Sequence, residues 1–497
     1  MVKREDFYNE DPSNNIEIEI AFDTAFNSYN KACDAVLFST VYNEKENNWE
    51  TKLKARISDN AEYQSYTLKG EVRDTMSTIY ISADRDFTKH LEGSSEWGLF
   101  GKIKAKFNES FSEETRKDIN KKFEEIKSSL VQVKKFEDFE EAFKKSFKEH
   151  VLSSQNKVDL EIRPFDPKHY YKHLEIIPQE YLLSKNLNQL GDGTKNLILI
   201  ALFRAYAQVF GNSTIFLIEE PELYLHPQGR ADLFNIFKLL ALNRSQIIYT
   251  THSPELIDIE YMSSIGVVKK RRDGENYYTE VLKIKEPNFC KRWANETGID
   301  NVTVDSIKLF LKNLSDAETN KGFFAEKIVL VEGKTEKWAL QGYAEKMPNI
   351  IDLEKENVEI ISVSGKNNIN KFYLIFTELK YPVYVIFDGD KKKKEGEETN
   401  RRLLKMLGGP PDAFPATTIS DKFTIFEEDF ETELKSKISN YEELKKEAQQ
   451  KYGLSKDRGK EIIARYIATT VIEIPTSIKS ILTKIKNYDE NNNSLTI

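Results

Sequence analysis

The sequence is poor in cysteine and has no long apolar segment. Cys33 and Cys290 are the only cysteines among 497 residues, too few and too far apart to predict a disulfide framework or a zinc site. No run of about eighteen apolar residues occurs, so the sequence predicts no transmembrane helix. The opening residues, MVKRED, lead into no apolar stretch, which predicts no signal peptide. These absences favour a cytoplasmic protein without a membrane partner.

The chain also lacks an excess of positive charge, since its formal net charge is −8. This balance argues against a protein that coats nucleic acid indiscriminately, although it leaves room for a local basic groove. Hydrophobic residues make up 39% of the chain, which is enough for sizeable cores, and the length predicts two or three domains.

The N-terminal part changes from β-strand signals to helical ones. Apolar and acidic residues alternate over residues 16–20, which predicts a half-solvated antiparallel strand. After residue 105 the period becomes helical, Ser110 and Glu113 match a capping box, and two apolar stripes predict a helical hairpin. The stripes are Ile119, Phe123, Ile126 and Leu130, then Phe136, Phe139, Phe143 and Phe147. The hairpin is either an oligomer contact or a plain packed hairpin.

Two signals for phosphate chemistry follow in the middle of the chain. The segment LGDGTKN places Gly191 and Gly193 at the start of a predicted helix, where backbone N–H groups can hold a phosphate. A predicted strand then ends in Glu219 and Glu220, which suit magnesium binding and the orientation of an attacking water. A strand followed by an ordinary acidic loop is the equal alternative.

A third segment, IIYTTHSPEL, ends a predicted strand at His252, one of only six histidines, which alone would be structural. Together with LGDGTKN and IFLIEEPELYLHP, in this order and spacing, it resembles the ATP-binding-cassette class of ATPases. The resemblance implies that Gly191 and Gly193 reach the γ-phosphate in the opposite subunit. It also implies Glu219 as the Walker B acid, Glu220 as the catalytic carboxylate and His252 as the switch histidine. ATP as a possible cofactor and a homodimer follow from the same resemblance.

The phosphate-binding Walker A loop of that class has no match. No Gly-x-x-x-x-Gly-Lys-Ser/Thr occurs, and Gly101-Lys102 is followed by Ile103. In the class this loop precedes strands like that at residues 16–22, so the chain is expected to begin about where the loop ends. A truncated chain, a split polypeptide and a natural form without the loop remain open. Efficient ATP hydrolysis is not expected.

The C-terminal part places acids at the ends of predicted parallel strands. One apolar run leads into Glu332 and, in the first turn of a predicted helix, Glu336; another, about fifty residues later, leads into Asp388 and Asp390. The order strand, helix, strand, helix, strand predicts a parallel sheet. Because such strand ends share one edge, we expect the carboxylates to converge there, which is costly unless cations neutralise them.

A glutamate after the first strand and Asp-x-Asp after the third resemble the Toprim domain of topoisomerases, primases and certain nucleases. The acidic segment FEEDFE and Lys460, at a predicted helix start, follow. A cation at that end opposes the helix dipole, so Lys460 either serves a site outside the helix or is a surface lysine. The whole order, over about residues 5–480, resembles the OLD family of ATPase–Toprim nucleases, which includes the nuclease subunit of the Gabija antiphage system.

This resemblance implies DNA cleavage by two divalent ions, Mg²⁺ or Mn²⁺, often in phage defence and with a helicase-like partner. Glu332, Asp388, Asp390, Lys460 and Glu220 become the catalytic residues. The implied metal ligands are Glu332, Glu336, Asp388, Asp390, Asp429 and Glu431, with Glu428 as a further candidate. Two hard cations about 4 Å apart suit phosphodiester hydrolysis and an all-oxygen site. The lysines of residues 391–394 either hold a DNA phosphate or form a solvated loop.

The predicted fold class is α/β, with an incomplete N-terminal ATPase-like domain that carries a helical insertion, followed by a Toprim domain with a parallel sheet. The expected division is an ATPase-like domain at residues 1–105 and 161–315, an insertion at 106–160, a Toprim nuclease domain at 316–480 and a polar tail at 481–497. Two rival functions are a topoisomerase-like Toprim enzyme, which needs a nucleophilic tyrosine, and a nucleotide-gated DNA-binding scaffold.

Overall fold

The computed structural model describes residues 16–28, 31–43, 48–57, 60–65, 78–84, 87–91, 98–150, 160, 162, 171, 174–180, 183–210, 214–242, 245–273, 276–299, 302–312, 314–394, 396–455 and 458–488. Most of the predicted polar tail lies outside these residues. The chain forms two compact units, residues 1–251 and 252–497. The finer division predicted from the sequence stays a prediction.

The described part of the first unit combines helices with a four-stranded sheet, a three-stranded sheet and a two-stranded pair formed by residues 179–180 and 183–184. Its strands are β1 (Ile16–Ser28), β2 (Lys31–Asn43), β3 (Asn48–Ile57), β4 (Asn60–Ser65), β5 (Thr78–Ile81), β6 (Gln179–Glu180), β7 (Leu183–Ser184), β8 (Ile215–Glu219) and β9 (Gln246–Thr250). Its helices are α1 (Phe87–Leu91), α2 (Leu99–Glu109), α3 (Glu113–Val131), α4 (Lys134–His150), α5 (Asp192–Val209) and α6 (Pro227–Leu242).

Strands β1 to β4 form an antiparallel sheet in sequence order, with Ile18 opposite Phe38, so the alternating pattern at residues 16–20 predicts its strand correctly. The second sheet is parallel, in the order β5-β8-β9. Apolar residues of β8, such as Phe216, pack against Phe203 of α5 and Phe237 of α6 in one buried cluster. This packing fixes the direction in which β8 and β9 present their final residues.

Helices α3 and α4 form the predicted hairpin, but the predicted cap is wrong. The Ser112 side chain accepts from the Thr115 amide at 3.1 Å and begins α3. Ser110 lies at the end of α2 instead, where its hydroxyl donates to the Phe107 carbonyl at 2.7 Å and its amide donates to the same carbonyl at 3.2 Å. Ile126 and Phe139 keep 56% and 61% of their surface exposed, so the two stripes pack little within this chain. An oligomer contact at the hairpin stays a prediction.

The second unit contains the predicted parallel sheet and a separate antiparallel strand pair, β10 with β11. The strands of this unit are β10 (Val267–Asp273), β11 (Asn276–Leu282), β12 (Lys327–Val331), β13 (Val358–Ser362), β14 (Val383–Asp388), β15 (Thr418–Ile419) and β16 (Phe423–Phe426). Its helices are α7 (Glu286–Thr297), α8 (Val304–Lys312), α9 (Ala317–Asn320), α10 (Lys334–Lys346), α11 (Ile369–Glu378), α12 (Glu397–Met406), α13 (Phe430–Lys437), α14 (Tyr441–Tyr452), α15 (Lys460–Thr470) and α16 (Thr476–Asn487). Among the described residues, no helix is both long and apolar enough to cross a membrane.

The sheet of the second unit has the order β13-β12-β14-β16-β15, and all its pairs are parallel except that between β15 and β16. The strand sequences are almost continuously apolar because helices cover both faces. Leu330 points into one buried cluster and its neighbour Val331 into the other. The first of these clusters also contains Phe289 and Trp293 of α7, which precede the Toprim segment in sequence.

Candidate active site

The acids that end β12 and β14 meet at one edge of the sheet. Val331 lies opposite Ile386 in the parallel register, so the two strands end almost level. The Asp388 amide donates to Oε1 of Glu332 at 2.7 Å. The structure therefore brings together two predicted site residues that lie far apart in the sequence.

The acidic segment after β16 joins the same edge. Oδ1 of Asp388 accepts from the Phe430 amide at 3.0 Å, and the Asp390 amide donates to the Glu428 carbonyl at 2.8 Å. Gly389 fits between these contacts because it has no Cβ: an added Cβ would lie 2.6 Å from the carbonyl oxygens of Phe426 and Glu427. The sequence thus requires glycine between the two aspartates.

Two helices begin at this edge, with Glu336 in the first turn of α10 and Asp429 as the N-cap residue of α13. Oε2 of Glu336 accepts from the Gly333 amide at 3.0 Å and so caps α10. Oδ1 of Asp429 accepts from the Thr432 amide at 2.7 Å and caps α13. Negative charge suits both positions, because the amide ends of helices are electropositive.

Burial and mutual repulsion raise the pKa values of three of these acids, Glu332, Glu336 and Asp388. Burial raises the pKa of Glu332 to about 7, against the lowering effect of the Asp388 amide and of Lys366. Burial also raises the pKa of Asp388 well above its usual range, and the charges of Glu332, Glu336 and Asp429 add to it. The pKa of Glu336 is raised chiefly by burial as well. Carboxylates whose pKa values are raised by burial and by each other's charge are stabilised in the ionised form when cations bind beside them.

Lys366, which the sequence analysis did not single out, is the buried cation of this edge. Its Nζ lies 2.7 Å from Oδ2 of Asp390, while Lys393 Nζ lies 2.7 Å from Oδ1. The Lys366 side chain is only 9% exposed. Burial alone would raise the pKa of Asp390, but the hydrogen bonds from the two lysines hold it below its ordinary value.

The loop after β13 positions the Lys366 ammonium beside Asp390. Ser364 and Gly365 have φ angles of 58° and 119°, in the region that L side chains rarely adopt, and the Gly365 amide donates to the Glu332 carbonyl at 2.8 Å. A signal was present in the sequence: β13 ends at the same edge as β12, and Gly-Lys follows both strands closely.

The remaining predicted residues lie around this cluster. Lys460 begins α15 and its Nζ lies 3.3 Å from Oε1 of Glu431, with both side chains partly exposed. Oε2 of Glu428 accepts from the Lys392 amide at 2.8 Å. In the loop of residues 391–394, Lys391, Lys392 and Lys393 each pair with an acid of the chain.

The carboxylate oxygens of this edge suit hard divalent cations, but in the structure several of these carboxylates bind lysines or helix amides. In the part of the chain that the structure describes, no three Asp, Glu, His or Cys side chains are arranged to hold a metal ion. Asp390 faces two lysines, and Glu336 and Asp429 accept helix amides. The buried, mutually repelling carboxylates nevertheless supply the all-oxygen ligands that Mg²⁺ and Mn²⁺ prefer. Metal binding would therefore require these carboxylates to leave their present partners.

In the first unit, Glu219 and Glu220 lie at the shared edge of β8 and β9. Glu219 is opposite Thr250, and its carboxylate accepts from the Tyr80 hydroxyl at 2.7 Å and the Ala83 amide at 3.0 Å. The hydrogen bond to Glu219 raises the pKa of Tyr80. The Glu220 amide donates to the Thr250 carbonyl at 2.9 Å, and Glu220 has a positive φ of 42°, a backbone strain typical of functional turns.

The predicted glycine turn is also formed. Gly191 is the N-cap residue of α5, and an added Cβ there would meet nothing within 4 Å. The first amides of a helix are the groups that can bind an anion. His252 begins the second unit, where its ring centroid lies 6.3 Å from that of Phe324.

The fold and the two acidic edges define a protein that joins an ATPase-type domain to a Toprim domain, and the family models agree. Residues 3–257 match the AAA ATPase domain, and residues 323–390 match the "Overcoming lysogenization defect protein-like, TOPRIM domain". The chain belongs to the OLD family of ATPase–Toprim proteins. The family resemblance and the α/β fold class inferred from the sequence are thus confirmed.

Three relatives illustrate the similarity. The OLD nuclease of Thermus scotoductus is 27% identical over 241 residues, which are 48% of this chain and 43% of that protein. Endonuclease GajA of Bacillus cereus is 26% identical over 394 residues, 73% of this chain and 48% of GajA. The Old nuclease of Escherichia phage P2 is 24% identical over 213 residues, 41% of this chain and 34% of that protein. The matched segments span less than half of each relative.

Proposed function

We propose that this chain is a divalent-metal-dependent DNA endonuclease whose cleavage site is the acidic edge of the Toprim sheet. The observation that carries the proposal is the contact of 2.7 Å between Glu332 and the Asp388 amide, at the ends of adjacent parallel strands. Relatives described as nucleases, and the Toprim match, support it.

The side chains of this edge would have two kinds of role, metal binding and the stabilisation of negative charge. Glu332, Asp388 and Asp390 would hold the ions with Glu336, Asp429 and Glu431. Two divalent ions, once bound, would activate a water and stabilise the leaving oxygen. Lys460, whose ammonium lies 3.3 Å from Glu431, would reach the scissile phosphate and offset its developing charge. Lys366 neutralises Asp390 and keeps this acid ionised.

The ATPase-like unit would regulate this cleavage through bound nucleotide. Gly191 and Gly193 at the start of α5 would bind phosphate, and Glu219, Glu220 and His252 would take the roles that the family resemblance implies. The glycine at the N-terminus of α5 and the positive φ of Glu220 support a nucleotide ligand. Antiphage defence, a homo-oligomer, a helicase-like partner and a cytoplasmic site of action complete the proposal.

One observation favours a second candidate, a nucleotide-gated DNA-binding scaffold. The two lysines on Asp390 satisfy this acid without any metal. A scaffold would use the same edge to bind DNA without cleaving it.

Nicking of supercoiled plasmid tests the proposal. Wild type with Mg²⁺ or Mn²⁺ should nick DNA, while Glu332→Gln and Asp388→Asn should lose about a hundredfold or more of the rate, since each removes a buried charge from the metal site. Asp421→Asn is the matched control, because Asp421 is 81% exposed and pairs only at the surface with Lys484. Equal nicking by wild type and both site variants would reject the metal assignment. DNA binding without nicking by any of them would favour the scaffold.

A further inference from the structure

A second concave site lies in the Toprim unit, between α7, α8, α11 and α12. It is a cavity of about 210 Å³. Helix α11 contributes Asn370 and Lys371, α12 contributes Arg402 and Leu403, and α8 contributes Phe310. None of these residues belongs to the acidic edge, and the proposed cleavage mechanism does not use them.

The cavity carries two cations and no acid. Lys371 Nζ donates to Asn368 Oδ1 at 2.9 Å and lies 5.5 Å from the centre of the Phe310 ring, and burial lowers the pKa of Lys371. Arg402 donates from Nη1 to the Thr297 carbonyl at 2.6 Å, and its Nη2 lies 3.5 Å from Oε1 of Glu398, an exposed acid that does not line the cavity. No carboxylate lines the described wall. Each cation keeps further N–H donors beyond these bonds, so the site suits an anionic group.

A buried acceptor in the same wall lacks a hydrogen bond. Asn370 is 8% exposed, and among the described residues its Oδ1 has no hydrogen-bond partner. An unsatisfied buried acceptor is unfavourable, and native structures rarely leave one without a reason. A ligand that offers an N–H or O–H donor beside its anionic group would satisfy it.

The rest of the wall is apolar and limits the size of the ligand. Phe310, which is 41% exposed, offers a ring face, and Ile299 and Leu403 complete the apolar side. The volume is below the roughly 300–1,000 Å³ typical of larger ligands. An anionic group, a hydrogen-bond donor and one flat ring system are therefore what the cavity accommodates.

We propose that this cavity binds one nucleotide unit, a phosphate joined to a flat base, supplied either as a free mononucleotide or as the phosphorylated end of a DNA strand. The phosphate faces Lys371 and Arg402, the base packs on Phe310, and a base N–H donates to Asn370 Oδ1. The proposal is independent of the cleavage function, because it requires neither metal nor catalysis.

Calorimetric titration of the full chain in EDTA tests the site with three probes. These are inorganic phosphate, deoxyadenosine monophosphate and a short single-stranded DNA with a 5′-phosphate. Lys371→Met should weaken nucleotide binding about tenfold or more, because it removes a charge-assisted hydrogen bond. Asn370→Leu should also weaken it while leaving the melting temperature equal or higher, because it removes an unsatisfied buried acceptor. Lys405→Met is the matched control, since Lys405 lies exposed on α12 outside the cavity.

The probes and variants separate the outcomes. A loss confined to the monophosphate identifies the free nucleotide as the ligand, and a loss confined to the oligonucleotide identifies the strand end. If Lys371→Met does not fold, Asn370→Leu gives the same comparison. Equal affinity in wild type, Lys371→Met and Asn370→Leu would place any nucleotide elsewhere and overturn the proposal. Absence of binding by wild type at millimolar concentrations would also overturn it.

Discussion

Removal of the Lys366 ammonium tests whether a buried cation holds the acidic edge together. In Lys366→Met, Asp390 would keep Lys393 but lose the more buried partner, whose side chain is 9% exposed. We expect the local stability to fall by about 2–3 kcal/mol, the range for a hydrogen bond to a charged group in a poorly solvated site. The removed charge also acts on Glu332, whose pKa Lys366 lowers, so metal-free Glu332 should take up protons more readily.

Native-state hydrogen exchange of the β14 amides is the suitable assay, because the two units of the chain need not unfold together. Lys334→Met is the control: Lys334 is exposed in the first turn of α10 and carries the same charge. A double-mutant cycle of Lys366→Met with Asp390→Asn should give a coupling energy of about 1–2 kcal/mol. A coupling below about 0.5 kcal/mol would refute the role of Lys366.

Two further substitutions probe the packing and electrostatics of the same unit. Gly389→Ala would place a Cβ 2.6 Å from two carbonyl oxygens, so it should cost about 1–3 kcal/mol in unfolding free energy and abolish nicking; a stable, active variant would contradict the close approach at this turn. Lys321 and Lys337 lower the pKa of Glu318 from 4.5 to about 2, so its stabilising effect should be complete above about pH 5 and disappear as the pH falls to 2. Because Glu318 is 60% exposed, Glu318→Gln should cost less than about 1 kcal/mol at pH 7 in urea unfolding, and a loss that grows on acidification would be the wrong sign.

The convergence of Glu332 and Asp388 was predictable because parallel strands place their ends at one edge. Four consecutive apolar residues before Glu332 identify a strand buried on both faces, and the similar run before Asp388 identifies its neighbour. An acid directly after such a strand therefore predicts which side chains meet at the edge of the sheet. The assigned metal roles of these residues stay predictions.

The Gly-Lys pair after β13 indicates a lysine near this edge, but the contact of Lys366 with Asp390 was not predictable from the sequence. It depends on two consecutive residues with positive φ, Ser364 and Gly365, and on the pairing of the Gly365 amide with the Glu332 carbonyl. Local sequence does not determine such contacts between distant segments. The cap of α3 is a similar case, since Ser110 matches the capping box with Glu113 in the sequence, but its hydroxyl bonds to the end of α2 and Ser112 caps α3 instead.

The core of the second unit shows the same limit. Asp316, the first residue of the predicted Toprim domain, caps the short helix α9, and the boundary at this position stays a prediction. Phe289 and Trp293, earlier in the chain, pack in the same buried cluster as Leu330 of β12. Burial between distant segments, rather than composition, decides which residues share a core.

Titration of the metal-free chain with Mn²⁺ tests the central claim most directly, because it asks whether the acidic edge binds divalent ions at all. Wild type should bind Mn²⁺ at neutral pH, and Glu332→Gln and Asp388→Asn should each weaken binding at least about tenfold, since each removes one charged ligand. Asp421→Asn should bind as wild type does. Undiminished Mn²⁺ affinity in both site variants would contradict the account.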